Sequence, residues 1–132
     1  MRAAATLLGL CLCGISGCGS EATCYPVSGY VTYRGQPLAG GLIVFSPDFE
    51  KGASGPTSRA IIKTDGSFDL ATDDRIGAVR GWHRITIAAP MQDSPVTLYR
   101  DFPEKFHSPV RSGLGWEVQT ESENHLLIEL NP

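Results

Sequence analysis

The side chains here that are able to do chemistry are three histidines, four cysteines and a cluster of aspartates, and their spacing decides what each can do. A histidine-based metal centre needs ligands that converge, commonly at His-x-His or His-Glu-x-x-His spacing. His83, His107 and His125 have neither; they fall in an alternating apolar segment, a long irregular segment and the start of the last alternating segment. They predict no metal site. Asp65, Asp69, Asp73 and Asp74 put four carboxylates within ten residues, but without the alternating oxygen ligands of a calcium loop. Asp65 reads as a turn residue and the others as a solvated face. Glycoside hydrolysis would need two carboxylates converging in a cleft, and the ends of short strands offer none. Ser112-Gly113-Leu114-Gly115 lacks the glycine two positions before the serine that a nucleophile elbow uses. The reading is a non-enzymatic protein with no catalytic residue, no metal and no cofactor.

The sharpest chemical signal is a cysteine. After Met1-Arg2, residues 3–13 form an uncharged apolar run, too short to cross roughly 30 Å of hydrocarbon as a helix but suited to the core of a signal peptide. The sequence Ile15-Ser16-Gly17-Cys18 follows. It resembles the lipobox of bacterial lipoproteins: a branched apolar residue, two small residues that fit a peptidase cleft, then a cysteine whose sulfur takes the lipid. The expectation is a signal peptide over 1–17, cleavage before Cys18, acylation of Cys18, and a short tether over 18–24. Two or three acyl chains at roughly 0.8 kcal/mol per buried methylene would make a durable anchor. Gly19, rather than Asp, after the acylated cysteine favours the outer membrane where the cell has one. Cys11 and Cys13 would leave with the signal peptide and Cys18 would be consumed by lipid. Cys24 then stands alone, so no intrachain disulfide framework is expected.

Composition sets further bounds. Acidic residues outnumber basic ones, 14 to 11, for a formal charge of −3. The basic residues are scattered from Arg2 to Arg111 without a stripe, which excludes the concentrated positive footprint of a nucleic-acid binder. Fifteen glycines and nine prolines interrupt the chain too often for long helices.

From Tyr25 on, strand patterns alternate with turn signals. Val27, Gly29, Val31 and Tyr33 share one parity, and Arg34-Gly35-Gln36-Pro37 reads as a turn. Residues 42–45 form a short apolar run, and 46–57 a polar loop. Ala60, Ile62 and Thr64 lead to Asp65-Gly66, a strong hairpin signal, with Phe68 and Leu70 pointing inward on the return. His83, Ile85, Ile87 and Ala89 form the next inward row, then Leu114, Trp116 and Val118, then Leu126, Ile128 and Leu130. About seven short strands without an amphipathic helix predict an all-β sandwich. The irregular segment 90–109 is expected to cross between sheets or to lie over one end.

Three groups of residues, Val27-Ser28-Gly29-Tyr30-Val31, Gly35-Gln36-Pro37-Leu38-Ala39-Gly40 and Thr64-Asp65-Gly66-Ser67-Phe68-Asp69-Leu70, resemble the carboxypeptidase regulatory-like domain. Gly81-Trp82-His83-Arg84-Ile85-Thr86-Ile87, Pro103 to Phe106, Ser112-Gly113-Leu114, and Asn124 before Ile128-Glu129-Leu130 are similar to its bacterial lipoprotein branch. The resemblance spans about Tyr25 to Leu130. It implies a transthyretin-like Greek-key sandwich over residues 25–132, non-catalytic, whose glycines serve turns and close strand approach. His83 departs from the family, which usually carries Tyr in that inward slot.

The aromatics are the remaining handle on function. By parity Tyr30 and Trp82 point outward, and Tyr99 and Phe102 lie in the long loop, so these four are the candidate ligand contacts. The resulting expectation is a lipid-anchored, extracytoplasmic protein of the bacterial cell envelope that binds a protein or envelope partner through its sandwich. The alternative is a carbohydrate-binding module that stacks sugars on those aromatics.

Overall fold

A computed structural model describes residues 22–90 and 101–132. The strands are β1 (Cys24–Tyr25), β2 (Val27–Tyr33), β3 (Gln36–Pro37), β4 (Leu42–Pro47), β5 (Ser58–Ile61), β6 (Ser67–Asp69), β7 (Ala71–Thr72), β8 (Arg75–Ile76), β9 (Ala78–Val79), β10 (Gly81–Ala88), β11 (Gly115–Val118) and β12 (Asn124–Leu130). Seven of these, β2, β4, β5, β6, β10, β11 and β12, have three or more residues. The helical elements among the described residues are two single 3-10 turns, Phe49–Lys51 and Glu104–His107.

The fold is an all-β sandwich, as the alternation predicted. One sheet has the order β11-β10-β4-β5-β7-β8, a second is β12-β2-β3, with β6 also pairing β2, and β1 and β9 form a separate two-stranded sheet. In the first sheet β4, β5 and β7 are neighbours in that order, with β6 crossing to the other sheet between β5 and β7, and β10 returns to lie beside β4. The period-2 rule then fills the core from both sheets. Val27, Val31 and Tyr33 of β2, Phe68 of β6, and Leu126, Ile128 and Leu130 of β12 meet Ile43, Phe45, Ile85 and Ile87 from the first sheet, all buried.

Turn chemistry matches the sequence closely at one hairpin. Arg34 and Gly35 both have positive φ, 51° and 77°, the two-residue turn whose twist suits adjoining strands, and it joins β2 to β3 with Tyr33 opposite Gln36. The Asp65-Gly66 turn also forms. The Gly66 N–H donates to the Lys63 carbonyl at 2.9 Å, and the Lys63 N–H to the Ser67 carbonyl at 2.8 Å. Asp65 Oδ1 accepts from both the Ser67 backbone N–H and hydroxyl, which holds its carboxyl below the ordinary range. The flanking strands, however, do not pair as a hairpin. β5 pairs with β4 and β7, while β6 pairs with β2, so this turn carries the chain from one sheet to the other. The reason is that the Gly66 carbonyl is taken by the Val31 N–H at 2.8 Å, so β2 captures the returning chain.

Local signals do not announce the pairing that closes the sandwich. β12 runs parallel to β2 over seven residue pairs, from Asn124 opposite Val27 to Leu130 opposite Tyr33. Gly29 makes this possible, because a Cβ there would run into the Leu126 carbonyl and the Phe68 ring. Asn124, buried, fixes where β12 begins. Its Oδ1 accepts from the Gln119 N–H at 2.8 Å, and its Nδ2 donates to the carbonyls of Gln119 (2.9 Å) and Pro26 (3.3 Å).

Two substitutions measure this closure. Gly29→Ala is expected to lower stability by about 1–3 kcal/mol, the range for overpacking, because β12 must move off β2. Asn124→Ala is expected to cost about 1–3 kcal/mol by leaving buried backbone groups unsatisfied. Ile76→Ala, an exposed side chain on β8, serves as the control and should stay within about 0.5 kcal/mol in urea titrations.

Candidate functional site

An open cleft of about 750 Å³ lies where the chain enters the domain. Ala22, Thr23 and Tyr25 form one side, the loop after the first 3-10 turn a second, and the β10–β11 end a third. β1 is held there by pairing with β9, Cys24 opposite Val79 and Tyr25 opposite Ala78. Gly77, with φ 93°, lets the chain pass, since any Cβ would strike the Tyr25 carbonyl. The guanidinium of Arg75 donates to the carbonyl of Ala22.

Trp82 and Lys51 divide this cleft from a smaller hollow of about 270 Å³ that reaches Val110 and Leu114, since both residues line both spaces. Lys51 Nζ sits 4.0 Å from the Trp82 ring centroid, a cation–π contact on a half-buried ring. The loop that presents Lys51 is pinned by charge. Asp48 Oδ1 accepts from the Glu50 N–H at 3.1 Å, Arg84 Nε lies 3.2 Å from Asp48 Oδ2, and Arg84 Nη2 donates to Glu50 at 2.6 Å. Burial alone would raise the Asp48 carboxyl, but Arg84, the Glu50 N–H and Lys51 together hold it below its ordinary value. Asp48 in turn raises Arg84. Across the strand pair, Glu117 stands opposite Trp82. Trp82, Lys51, Arg80, Glu117 and Gln119 therefore give the cleft an aromatic surface edged by hydrogen-bonding groups of both charges.

The candidate aromatics separate. Tyr30 is on the outer face of the β12-β2-β3 sheet, 41% exposed, edge-on to His125 at 5.8 Å. Trp82 belongs to the other sheet. The two do not share a surface. Phe102 packs on the core, 5.1 Å from Tyr33 and 5.5 Å from Phe106. Its ring also stacks on His107 at 5.9 Å. Phe102 and Phe106 thus lie against the core beside Tyr33, and residues 91–100 of their segment lie outside the described residues. Tyr99 and Cys18 lie outside the described residues.

The histidines are likewise apart. His83 is buried as its parity predicted, and its Nε2 donates to the Val79 carbonyl at 2.8 Å, the only direction a carbonyl allows. Desolvation lowers its pKa, opposed in part by the Val79 and Phe45 backbone groups. His125 Nδ1 lies 3.2 Å from the Ser28 hydroxyl. The aspartates also disperse. Asp69 pairs with Lys63 at 2.9 Å, and Asp73 and Asp74 form the two-residue turn between β7 and β8. Among the described residues no three His, Cys, Asp or Glu side chains gather as a metal site.

Lys51, Arg80 and Glu117 were missed in the sequence. Lys51 sits in a polar loop and Glu117 lies 35 positions from Trp82, so no local spacing marks them as neighbours.

Among the described residues, the fold and cleft define a β-sandwich with a polar recess, lined in part by Trp82, where the chain enters the sandwich. No family model matches the chain, and no curated protein matches it. Among solved structures it is similar to a DUF3823 family protein from Parabacteroides merdae ATCC 43184, at 18% identity and a TM-score of 0.42. The match covers 85% of this chain and 48% of that one, so the chain spans about half the length of that protein.

Two measurements check this geometry. The folded pKa of His83 lies below its ordinary 6.5, so the unfolded chain takes up the proton first as pH falls. The contribution is complete above about pH 6.5 and is lost progressively below it; urea midpoints should fall between about pH 7.5 and about pH 5, and His83→Gln should flatten that decline. Separately, Asp48→Ala should release Lys51 from Trp82. In a Trp116→Phe background, which leaves Trp82 as the sole tryptophan, this should appear as red-shifted emission.

Proposed function

We propose that this chain is an extracytoplasmic lipoprotein of the bacterial envelope, anchored through acylated Cys18. In this reading its carboxypeptidase regulatory-like sandwich is a non-catalytic binding module for a protein or other envelope partner. The observation that carries the reading is where the cleft opens. Ala22 lines it, and only four residue steps separate Ala22 from Cys18, no more than about 14 Å of extended chain. An acyl group on Cys18 would hold the cleft at the membrane surface, facing whatever is presented there. The resemblance to the carboxypeptidase regulatory-like domain is supported by glycines that meet the demands that family places on them. Gly29 permits close strand approach, while Gly35 and Gly66 take turn conformations with φ of 77° and 87°.

Carbohydrate recognition is the second reading, and Trp82 favours it. An indole flanked by Lys51, Arg80, Glu117 and Gln119 combines a stacking surface with donors and acceptors suited to sugar hydroxyls. Tyr30, on the opposite sheet, would not take part.

Metabolic labelling with a fatty-acid analogue tests the anchor. The wild-type chain should take up label and sediment with membranes, and Cys18→Ala should do neither; label retained by the variant would overturn the assignment. For the module, envelope crosslinking through a photoreactive residue at Lys51 should give a discrete protein adduct. A glycan array probed with the full chain should instead show signal lost on Trp82→Ala if the second reading holds.

A further inference from the structure

β12 is a seven-residue strand at the edge of its sheet, with β2 on one side and no described strand on the other. Edge strands are usually blunted by proline, a bulge or an inward-pointing charge. β12 has none of these: it reads Asn-His-Leu-Leu-Ile-Glu-Leu, it pairs with β2 without interruption, and its buried members are Asn124, Leu126, Ile128 and Leu130.

The direction of its free hydrogen-bonding groups follows from one observed bond. The Leu130 carbonyl accepts from the Arg34 N–H on the β2 side. N–H and C=O groups alternate in direction along a strand, so even-numbered residues serve β2. The backbone groups of His125, Leu127 and Glu129 therefore turn to the open side. The side chains of these three residues are exposed, Leu127 by 67%.

We propose that two copies of this chain join β12 to β12 about a two-fold axis, antiparallel and centred on Leu127. That register is the one the strand's own chemistry selects. It makes Leu127 face Leu127 of the second copy as a hydrogen-bonded pair, and places His125 opposite Glu129 in both directions. The three outward-turned residues are then the three that exchange backbone bonds, so hydrogen-bond phase and side-chain pairing agree. An imidazole meets a carboxylate on each flank, where a shift by two residues would set unlike groups out of partnership. Tyr30 stands in register beside Leu127 on the same outer face. The joined sheets would carry Tyr30, Leu127, Leu127 and Tyr30 as one continuous apolar row. Both exposed apolar residues of this face find a use, independently of the anchor at Cys18.

Disulfide trapping of the full chain in mild detergent tests the register, in a Cys24→Ser background with that parent as baseline. Residues in a hydrogen-bonded antiparallel pair have Cα atoms about 5.5 Å apart, inside the disulfide window of about 4.4–6.8 Å. Leu127→Cys should therefore give a covalent dimer. His125→Cys alone should not, because its two copies would lie about 14 Å apart along the strands. Mixed with Glu129→Cys, it should. Leu127→Asp should shift the sedimenting species from dimer to monomer while its circular dichroism stays unchanged. Three results would overturn the proposal: equal trapping at all three positions, which means collision; trapping of Leu127→Cys within its own chain by a cysteine placed in residues 91–100; and a wild-type chain that sediments only as a monomer.

Discussion

Parallel pairing of the first long strand with the last is the constraint on which this structure depends. β2 is the strand of its sheet with neighbours on both sides, β12 on one and β6 and β3 on the other. Without β12, the buried Leu126, Ile128 and Leu130 would leave the core. At roughly 1.5–3 kcal/mol for each fully buried aliphatic side chain, their loss would rival the whole stability of an ordinary domain, about 5–15 kcal/mol. Almost the entire described chain lies between the two strands, so this contact closes a long loop, which makes for slow, cooperative folding. Two small features guard it: the missing side chain at Gly29 and the three hydrogen bonds of Asn124.

The interior polar groups serve the same end. Ser58 and Thr72 hydrogen-bond at 2.7 Å, and the Thr72 hydroxyl donates to the Gly77 carbonyl at 2.8 Å, which ties β5, β7 and the β8–β9 link together. Ser112 donates to the Ile85 carbonyl at 2.6 Å and anchors the approach to β11. His83 does likewise with Val79. Each of these donors meets a backbone carbonyl or a neighbouring hydroxyl, as the cost of an unpaired buried group requires, whereas Trp116 Nε1, also buried, has no partner among the described residues. Further polar groups lie outside, on the Trp82 cleft and along the β12 edge. Those two surfaces belong to different sheets, so occupation of one need not obstruct the other.

Much of the fold was legible in the sequence because strand alternation and turn chemistry are local. His83, Ile85 and Ile87 were readable as an inward row, and Leu126, Ile128 and Leu130 as another, because a period of two needs no partner to be seen. Arg34-Gly35-Gln36-Pro37 was readable as a turn for the same reason, although its last two residues pair with β2 as β3. Asp65-Gly66 shows the limit: the turn was legible, but the sheet to which its second arm belongs was decided by a carbonyl that Val31 captures from 35 positions away. Of the candidate aromatics, parity placed Tyr30 and Trp82 outward, yet it could not show that they face away from each other on different sheets. Phe102 looked available in a loop and is instead packed against Tyr33.

The sequence by itself determined the all-β character, the inward rows, the glycine turns and the Ile-Ser-Gly-Cys signal, since each depends on neighbours within a few residues. Tertiary structure alone decided that β12 lies parallel to β2, that Lys51 covers Trp82 opposite Glu117, and that His125, Leu127 and Glu129 line an edge with no neighbouring strand among the described residues. Those arrangements join residues tens of positions apart. They are selected by the closure of two sheets over one core, and no local pattern encodes that closure.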